Sequence, residues 1–279
     1  MGPLSLGYSP CPNDTFIFFP LVHGKIDTEG LTFCEILEDV ETLNQMARGS
    51  RLDITKASFH AFGHLREDYC LLRSGGALGK GCGPLVVARE EYNMHDLRGK
   101  TIAIPGALTT AFLLLQIFDP ALRESVKIMA FNEIIHAVVS GVADAGLIIH
   151  ESRFTFQKAG LRKVADLGDW WEKETGYPVP LGGILARRRL GMELIHKVDG
   201  FLRKSIEYSF SHKEESVSYI RQHAQELEDK VINQHISLYV NDYSLDIGDS
   251  GERAVRELFA RAEEGGIIES SNQPLFISS

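Results

Sequence analysis

The N-terminal third of the chain alternates short apolar runs with stretches of helical periodicity. Leu4 to Tyr8 predicts a strand, Thr15 to His23 a helix and Leu31 to Leu37 a second strand. Glu38 to Arg48 carries Val40, Leu43 and Ala47 at the i, i+3, i+7 spacing of one helix face and stops at Gly49. Leu52 to Thr55 predicts a strand, Phe59 to Leu65 a helix, Tyr69 to Arg73 a strand and Pro84 to Arg89 a buried strand. Such alternation builds a sheet covered by helices.

The pattern restarts near residue 96. Strands are expected at Thr101 to Ile104, Val126 to Ala130, Ala143 to Ile149, Leu161 to Val164 and Gly182 to Ala186. Helices are expected at Thr109 to Phe118 and Asn132 to Ser140, the latter with Phe131, Ile134, Ile135 and Val138 on one face. After Leu190 strand signals cease. Ile195, Val198 and Leu202, then Val255, Leu258, Phe259 and Ala262, mark a helical tail. The two α/β stretches share a faint plan: a helix ending in Gly, an Asp, a strand and a polar turn. The expectation is an α/β protein of two lobes. Lobe one would comprise residues 1–93 plus 187–279 and lobe two residues 94–186, with a ligand cleft between them.

A chain of 279 residues exceeds what one core usually organises, which agrees with two lobes. Its formal net charge of -9 argues against a general nucleic-acid binder, because neutralising phosphates takes a surplus of Lys and Arg. No run approaches the ~18 apolar residues of a membrane span. Met1 to Pro10 has no charged segment leading into an apolar one, so a cytoplasmic protein is expected. Cys11, Cys34, Cys70 and Cys82 form no CxxC pair and read as free thiols. His60 and His64 stand four apart without an evident third ligand. Neither a metal nor a cofactor is expected.

In open α/β sheets, ligands bind beyond the carboxyl ends of the strands. Four such ends carry candidate chemistry. Ser9 to Thr15 holds two prolines, with Asn13 or Asp14 as helix caps and Cys11 as a remote candidate nucleophile. Thr55, Lys56, Ala57 and Ser58 suit an anion, or else Ser58 is a plain cap and Lys56 is solvated. Pro105 to Ala111 places Thr109, Thr110 and Ala111 at the positive end of an apolar helix, where a ligand carboxylate or a simple Thr cap fits. His150 directly follows a buried strand and titrates near neutral pH, as a general base must; a structural histidine would also fit there. Ser74 to Pro84 carries five glycines in neither phosphate-binding spacing and reads as a flexible loop near the cleft. Trp170 and Trp171 either pack a helix on lobe two or wall the cleft.

The segments SPCPNDTFIF (9–18), EDVETLN (38–44), SGGALGKGCGPLVVAR (74–89), GLIIHESRFT (146–155), DLGDWWEKETG (166–176) and NDYSLDIGDSGERAV (241–255) resemble the 1,4-dihydroxy-6-naphthoate synthase family of menaquinone biosynthesis by the futalosine route. The resemblance runs from residue 6 to near residue 260. It implies a fold like the type II periplasmic solute-binding proteins. It implies cyclic dehypoxanthine futalosine as substrate, and 1,4-dihydroxy-6-naphthoate and dihydroxyacetone as products. It implies His150 as proton acceptor, with substrate contacts at Thr55, Lys56, Ala57, Thr110 and Ala111, flanked by Ser58 and Thr109. Chorismate dehydratase, which shares fold and pathway, and a non-catalytic binding protein stay open as alternatives.

Overall fold

The computed structural model describes residues 2–224 and 228–276. The expected tail residues 225–227 and 277–279 lie outside the described residues. Strand β1 (Leu4–Tyr8) leads to helix α1 (Pro12–Val22), β2 (Phe33–Leu37), α2 (Val40–Arg48), β3 (Ile54–Ser58), α3 (Phe59–Leu65), β4 (Tyr69–Leu71), β5 (Ala77–Gly79) and β6 (Leu85–Ala88). There follow β7 (Ile102–Ile104), α4 (Thr110–Phe118), β8 (Val126–Ile128), α5 (Ile134–Val139), β9 (Ala145–Ile148), α6 (Ser152–Thr155), β10 (Arg162–Asp166), α7 (Leu167–Thr175) and β11 (Val179–Arg187). The tail comprises α8 (Met192–Ser211), α9 (Val217–His223), α10 (Asp229–Tyr239), α11 (Asp242–Leu245) and α12 (Gly248–Glu264).

These elements form two mixed sheets. The first has the order β2-β1-β3-β11-β4, with β5 also on β11. Here β1 runs parallel to β2 and β3, while β11 is antiparallel to β3, β4 and β5. The second has the order β10-β6-β9-β7-β8, with β7 parallel to β8 and β9 and with β6 antiparallel to β9 and β10.

Sheet membership moves the expected lobe boundaries. Strand β6, placed by the sequence reading in lobe one, pairs in the second sheet, and β11, placed in lobe two, lies inside the first. Both runs are apolar and fully or almost fully buried, so their composition suits either sheet; hydrogen-bond partners decide. The chain therefore passes between sheets at 80–84 and again at 176–178, not at 93 and 186. The glycine-rich segment is also not a flexible loop. It contains β5, and Ser74, Ala77, Leu78 and Cys82 are buried.

Tail helices hold the first sheet from both sides. Pro20 lies inside α1 and has no N–H to offer Phe16. The freed Phe16 carbonyl accepts instead from Ser209 Oγ of α8 at 2.7 Å. One turn on, Ser205 Oγ donates to Ile17 O at 2.7 Å and accepts from Leu21 N at 3.1 Å. On the opposite face, Phe259 of α12 packs against Phe59 and Phe62 of α3. Among the described residues, no helix is long and apolar enough to cross a membrane.

Candidate active site

The carboxyl ends of β1 and β3 in the first sheet and of β7 and β9 in the second converge on one cavity. It holds about 680 Å³ of empty space, its mouth included. Ser9, Asn13 and Asp14 reach it from the β1 end, and Thr109 to Ala111 from the β7 end. His150 stands at the β9 end, and His235 and Tyr239 enter from α10. A cavity that is mostly apolar with a few convergent polar groups has the character of a small-molecule pocket.

His150 sits just beyond β9, with φ of +55°. A left-handed backbone costs a non-glycine residue about 1 kcal/mol. The strained turn aims the ring back at the cavity it lines. Its Nδ1 lies 3.6 Å from Cys11 Sγ, and the ring meets Phe131 edge-on at 5.0 Å. Desolvation dominates its titration and pushes its pKa down to about 4, with Asp14 opposing and Lys56 reinforcing the shift. His150 as a residue is half-buried, and it lines the cavity. His150 is thus neutral at pH 7, as a base requires.

Cys11, which sequence reasoning could not connect to any histidine, is brought to His150 by the fold. Burial and the neighbouring Glu151 push the thiol pKa well above its ordinary value. One Glu151 oxygen, Cys11 Sγ and a His150 ring nitrogen lie within 4.8 Å of one another, the one such set of possible metal donors among the described residues.

Lys56 is neither solvated nor free. Its Nζ lies 3.0 Å from Asp14 Oδ1, and both side chains are buried, 8% and 1% exposed. Asp14 does not cap α1. Its Oδ2 accepts from Ser9 N and Ser9 Oγ, and its Oδ1 from Asn13 Nδ2. Helix α1 is started by Pro12 at its first position, with Cys11 as an N-cap lacking a side-chain bond. Ser58 likewise makes no capping bond. Its N donates to Asn44 Oδ1 and its Oγ accepts from Asn44 Nδ2.

Of the other expected contacts, Ala57, Ser58, Thr109, Thr110 and Ala111 line the cavity together with Lys56. Thr55 is not among the lining residues; it is buried, and its Oγ1 donates to Lys56 O. Thr109 caps α4, its Oγ1 accepting from Phe112 N, and the first-turn residues Thr110 and Ala111 line the cavity. The α4 entrance is tied to the first lobe. Glu41 Oε2 accepts from Leu108 N at 3.1 Å, and Asn44 Nδ2 donates to Leu108 O at 3.3 Å. A Cβ on Gly106 would sit 2.4 Å from the Glu41 carboxylate, so a larger residue there requires the Glu41 side chain to shift. Neither tryptophan lines the cavity. Trp171 is buried with Nε1 donating to Pro178 O, and Trp170 packs edge-on against Phe118. His60 is buried beside Thr109 O and belongs to no metal-donor set among the described residues.

His235 was missed. It is the polar member of an otherwise inward stripe, Val231, His235 and Tyr239, at i, i+4 spacing on α10. A histidine embedded in such a stripe was the available signal.

A menaquinone biosynthesis family matches residues 4–264. The 1,4-dihydroxy-6-naphtoate synthase of Thermus thermophilus is 50% identical over 277 residues, covering 99% of this chain and 100% of that protein. The enzyme of the same name from Streptomyces coelicolor is 43% identical over 270 residues, 95% of this chain and 94% of that one. Among solved structures, AF1704 from Archaeoglobus fulgidus superposes with a TM-score of 0.89 at 36% identity, covering 95% of this chain and 98% of that chain. The alkanesulfonate-binding protein SsuA from Xanthomonas axonopodis pv. citri gives a TM-score of 0.69 at 14% identity over 97% and 95% of the two chains, a likeness of fold alone. With these two sheets and the cleft between them, the chain has the periplasmic-binding-protein fold and belongs to the menaquinone biosynthesis family.

Proposed function

We propose that this cleft is the active site of a carbon–carbon lyase that converts cyclic dehypoxanthine futalosine to 1,4-dihydroxy-6-naphthoate and dihydroxyacetone, with His150 as general base. The observation that carries the reading is a neutral imidazole, its pKa pushed down to about 4, lining the cavity where the strand ends of both sheets converge. The two named synthase relatives, 50% and 43% identical over nearly the whole chain, support the same activity.

The chemistry follows from what each wall offers. The α4 amides at Thr110 and Ala111 present hydrogen-bond donors and the positive end of a helix, a fitting seat for the ligand carboxylate. Lys56 already carries its counter-ion in Asp14, so its role is donation and orientation rather than net charge. His150 takes a proton from a C–H bond of the sugar-derived part. The electron pair left behind forms a ring double bond as the bond to the three-carbon fragment breaks, that fragment takes up the proton and leaves as dihydroxyacetone, and formation of the aromatic ring supplies driving force. The protein has to hold geometry and start proton removal.

Incubating the full-length protein with the cyclic futalosine derivative and following the mixture by mass spectrometry tests the reading. Stoichiometric appearance of the naphthoate and dihydroxyacetone is expected. Recovery of the compound unchanged sinks it.

A further inference from the structure

One residue that lines the cleft holds a buried polar atom with no hydrogen-bond partner among the described residues. His235 is completely buried, and its ring forms part of the cavity wall. Its Nε2 lies 2.8 Å from Asn13 Oδ1. The Asn13 amide cannot be turned round, because its Nδ2 donates to Asp14 Oδ1 at 2.8 Å, on the same carboxylate that Lys56 holds. Asn13 Oδ1 therefore accepts, and the His235 proton resides on Nε2. Nδ1 is left as a bare lone pair, buried and without a hydrogen-bond partner among the described residues. Burial, with His150 and Lys56 close by, pushes the His235 pKa well below its ordinary value, so the ring does not relieve Nδ1 by taking a second proton. A buried acceptor in this state is destabilising until a donor reaches it.

We propose that His235 is a specificity-determining residue whose Nδ1 accepts a hydrogen bond from a phenolic hydroxyl of the naphthoate ring system bound in the cleft. The inference rests on the reading of the cleft as a naphthoate-forming site. It adds a preference between chemical states. A ring ketone has only lone pairs to present to Nδ1 and is repelled, whereas the hydroxyl formed when the ring becomes aromatic has a proton to donate. The contact therefore strengthens as the reaction proceeds, the condition under which binding energy accelerates a step. The His235 ring stacks near-parallel to His150, at 21° with centroids 6.2 Å apart, so acceptor and base stand side by side on one wall. His235 receives a hydrogen bond and moves no proton.

Two ligands differing only in the hydroxyls separate the possibilities: 1,4-dihydroxy-6-naphthoate, kept anaerobic, and 2-naphthoate. Each is titrated calorimetrically into the full-length protein and into His235→Phe. The unmodified protein is expected to bind the dihydroxy compound about tenfold or more tightly than 2-naphthoate. In His235→Phe that ratio falls close to one, while 2-naphthoate affinity stays within a few-fold. His235→Gln, which keeps a donor toward Asn13 but no acceptor at the Nδ1 position, gives the same loss and serves if the Phe variant does not fold. A preference retained in the variants, or absent from the unmodified protein, overturns the role of His235 and leaves the proposed activity standing. Failure of the unmodified protein to bind either compound overturns the naphthoate reading of the cleft itself.

Discussion

Cys11 Sγ lies 3.6 Å from His150 Nδ1, joining the turn after β1 in one sheet to the turn after β9 in the other. Burial keeps the thiol protonated, so the pair is a neutral thiol beside a neutral imidazole. When the ring carries its proton on Nδ1, sulfur accepts it and Nε2 keeps the lone pair that a base needs. Cys11→Ala removes that preference. It is expected to lower kcat about five- to tenfold, the weight of one weak hydrogen bond of about 1 kcal/mol, with KM little changed. Cys11→Ser, which keeps an acceptor, is expected to recover most of the loss. Equal kcat in all three proteins dismisses the tautomer argument.

His150→Ala removes the proposed base without touching Lys56 or the α4 amides. Turnover is expected to fall by about 10²- to 10⁴-fold, the usual weight of a positioned general base. Affinity for the naphthoate product is expected to stay within a few-fold. Single-turnover kinetics together with a binding titration check both halves, and turnover within a few-fold of the unmodified enzyme removes His150 from the mechanism.

Acid pH separates a buried histidine from an exposed one. The His150 pKa is lowered to about 4 and its neutral form is the base, so kcat/KM should hold between pH 7 and pH 5 and reach half only near pH 4. Stability moves sooner. His60 is also lowered to about 4 by burial, whereas in the unfolded chain it titrates near 6.5. Below that value the unfolded state binds the proton first, so stability present at neutral pH is lost as pH falls toward 4. From His60 alone the loss by pH 5 is about 2 kcal/mol. Urea unfolding at pH 7.5 and pH 5 measures it, and a midpoint that rises on acidification contradicts the sign.

How much of this could be read from the chain depended on range. Most strands and helices were legible, because Val40, Leu43 and Ala47, or Ile195, Val198 and Leu202, declare their faces within one or two turns. The cavity-facing role of Thr109 to Ala111 was legible too, since a Thr ahead of an apolar helix at a strand's carboxyl end has few places to point. Which sheet β6 and β11 join was not, because that depends on antiparallel partners some sixty to more than a hundred residues away. Nor were the pairs that define the site. Cys11 with His150, Lys56 with Asp14 and Asn13 with His235 are separated by 139, 42 and 222 positions, and nothing local announces them.

The Lys56–Asp14 pair gives the sharpest thermodynamic test, because both members are almost completely buried. Lys56→Met leaves a carboxylate in the interior with Ser9 and Asn13 as its donors and no counter-charge. Breaking a buried pair from one side costs about 3–5 kcal/mol, since the remaining ion keeps its desolvation penalty. Changing both partners removes the penalty along with the attraction. The double variant Lys56→Met, Asp14→Asn keeps an acceptor for Ser9 and carries no buried charge, so it should recover most of the stability that Lys56→Met loses. The two proteins should differ in function as well. If Asp14 and Lys56 together orient Asn13, and through it His235, the double variant will fold but bind the naphthoate product more weakly. A double variant no more stable than Lys56→Met in urea titration would show that the carboxylate is not charged in the folded protein.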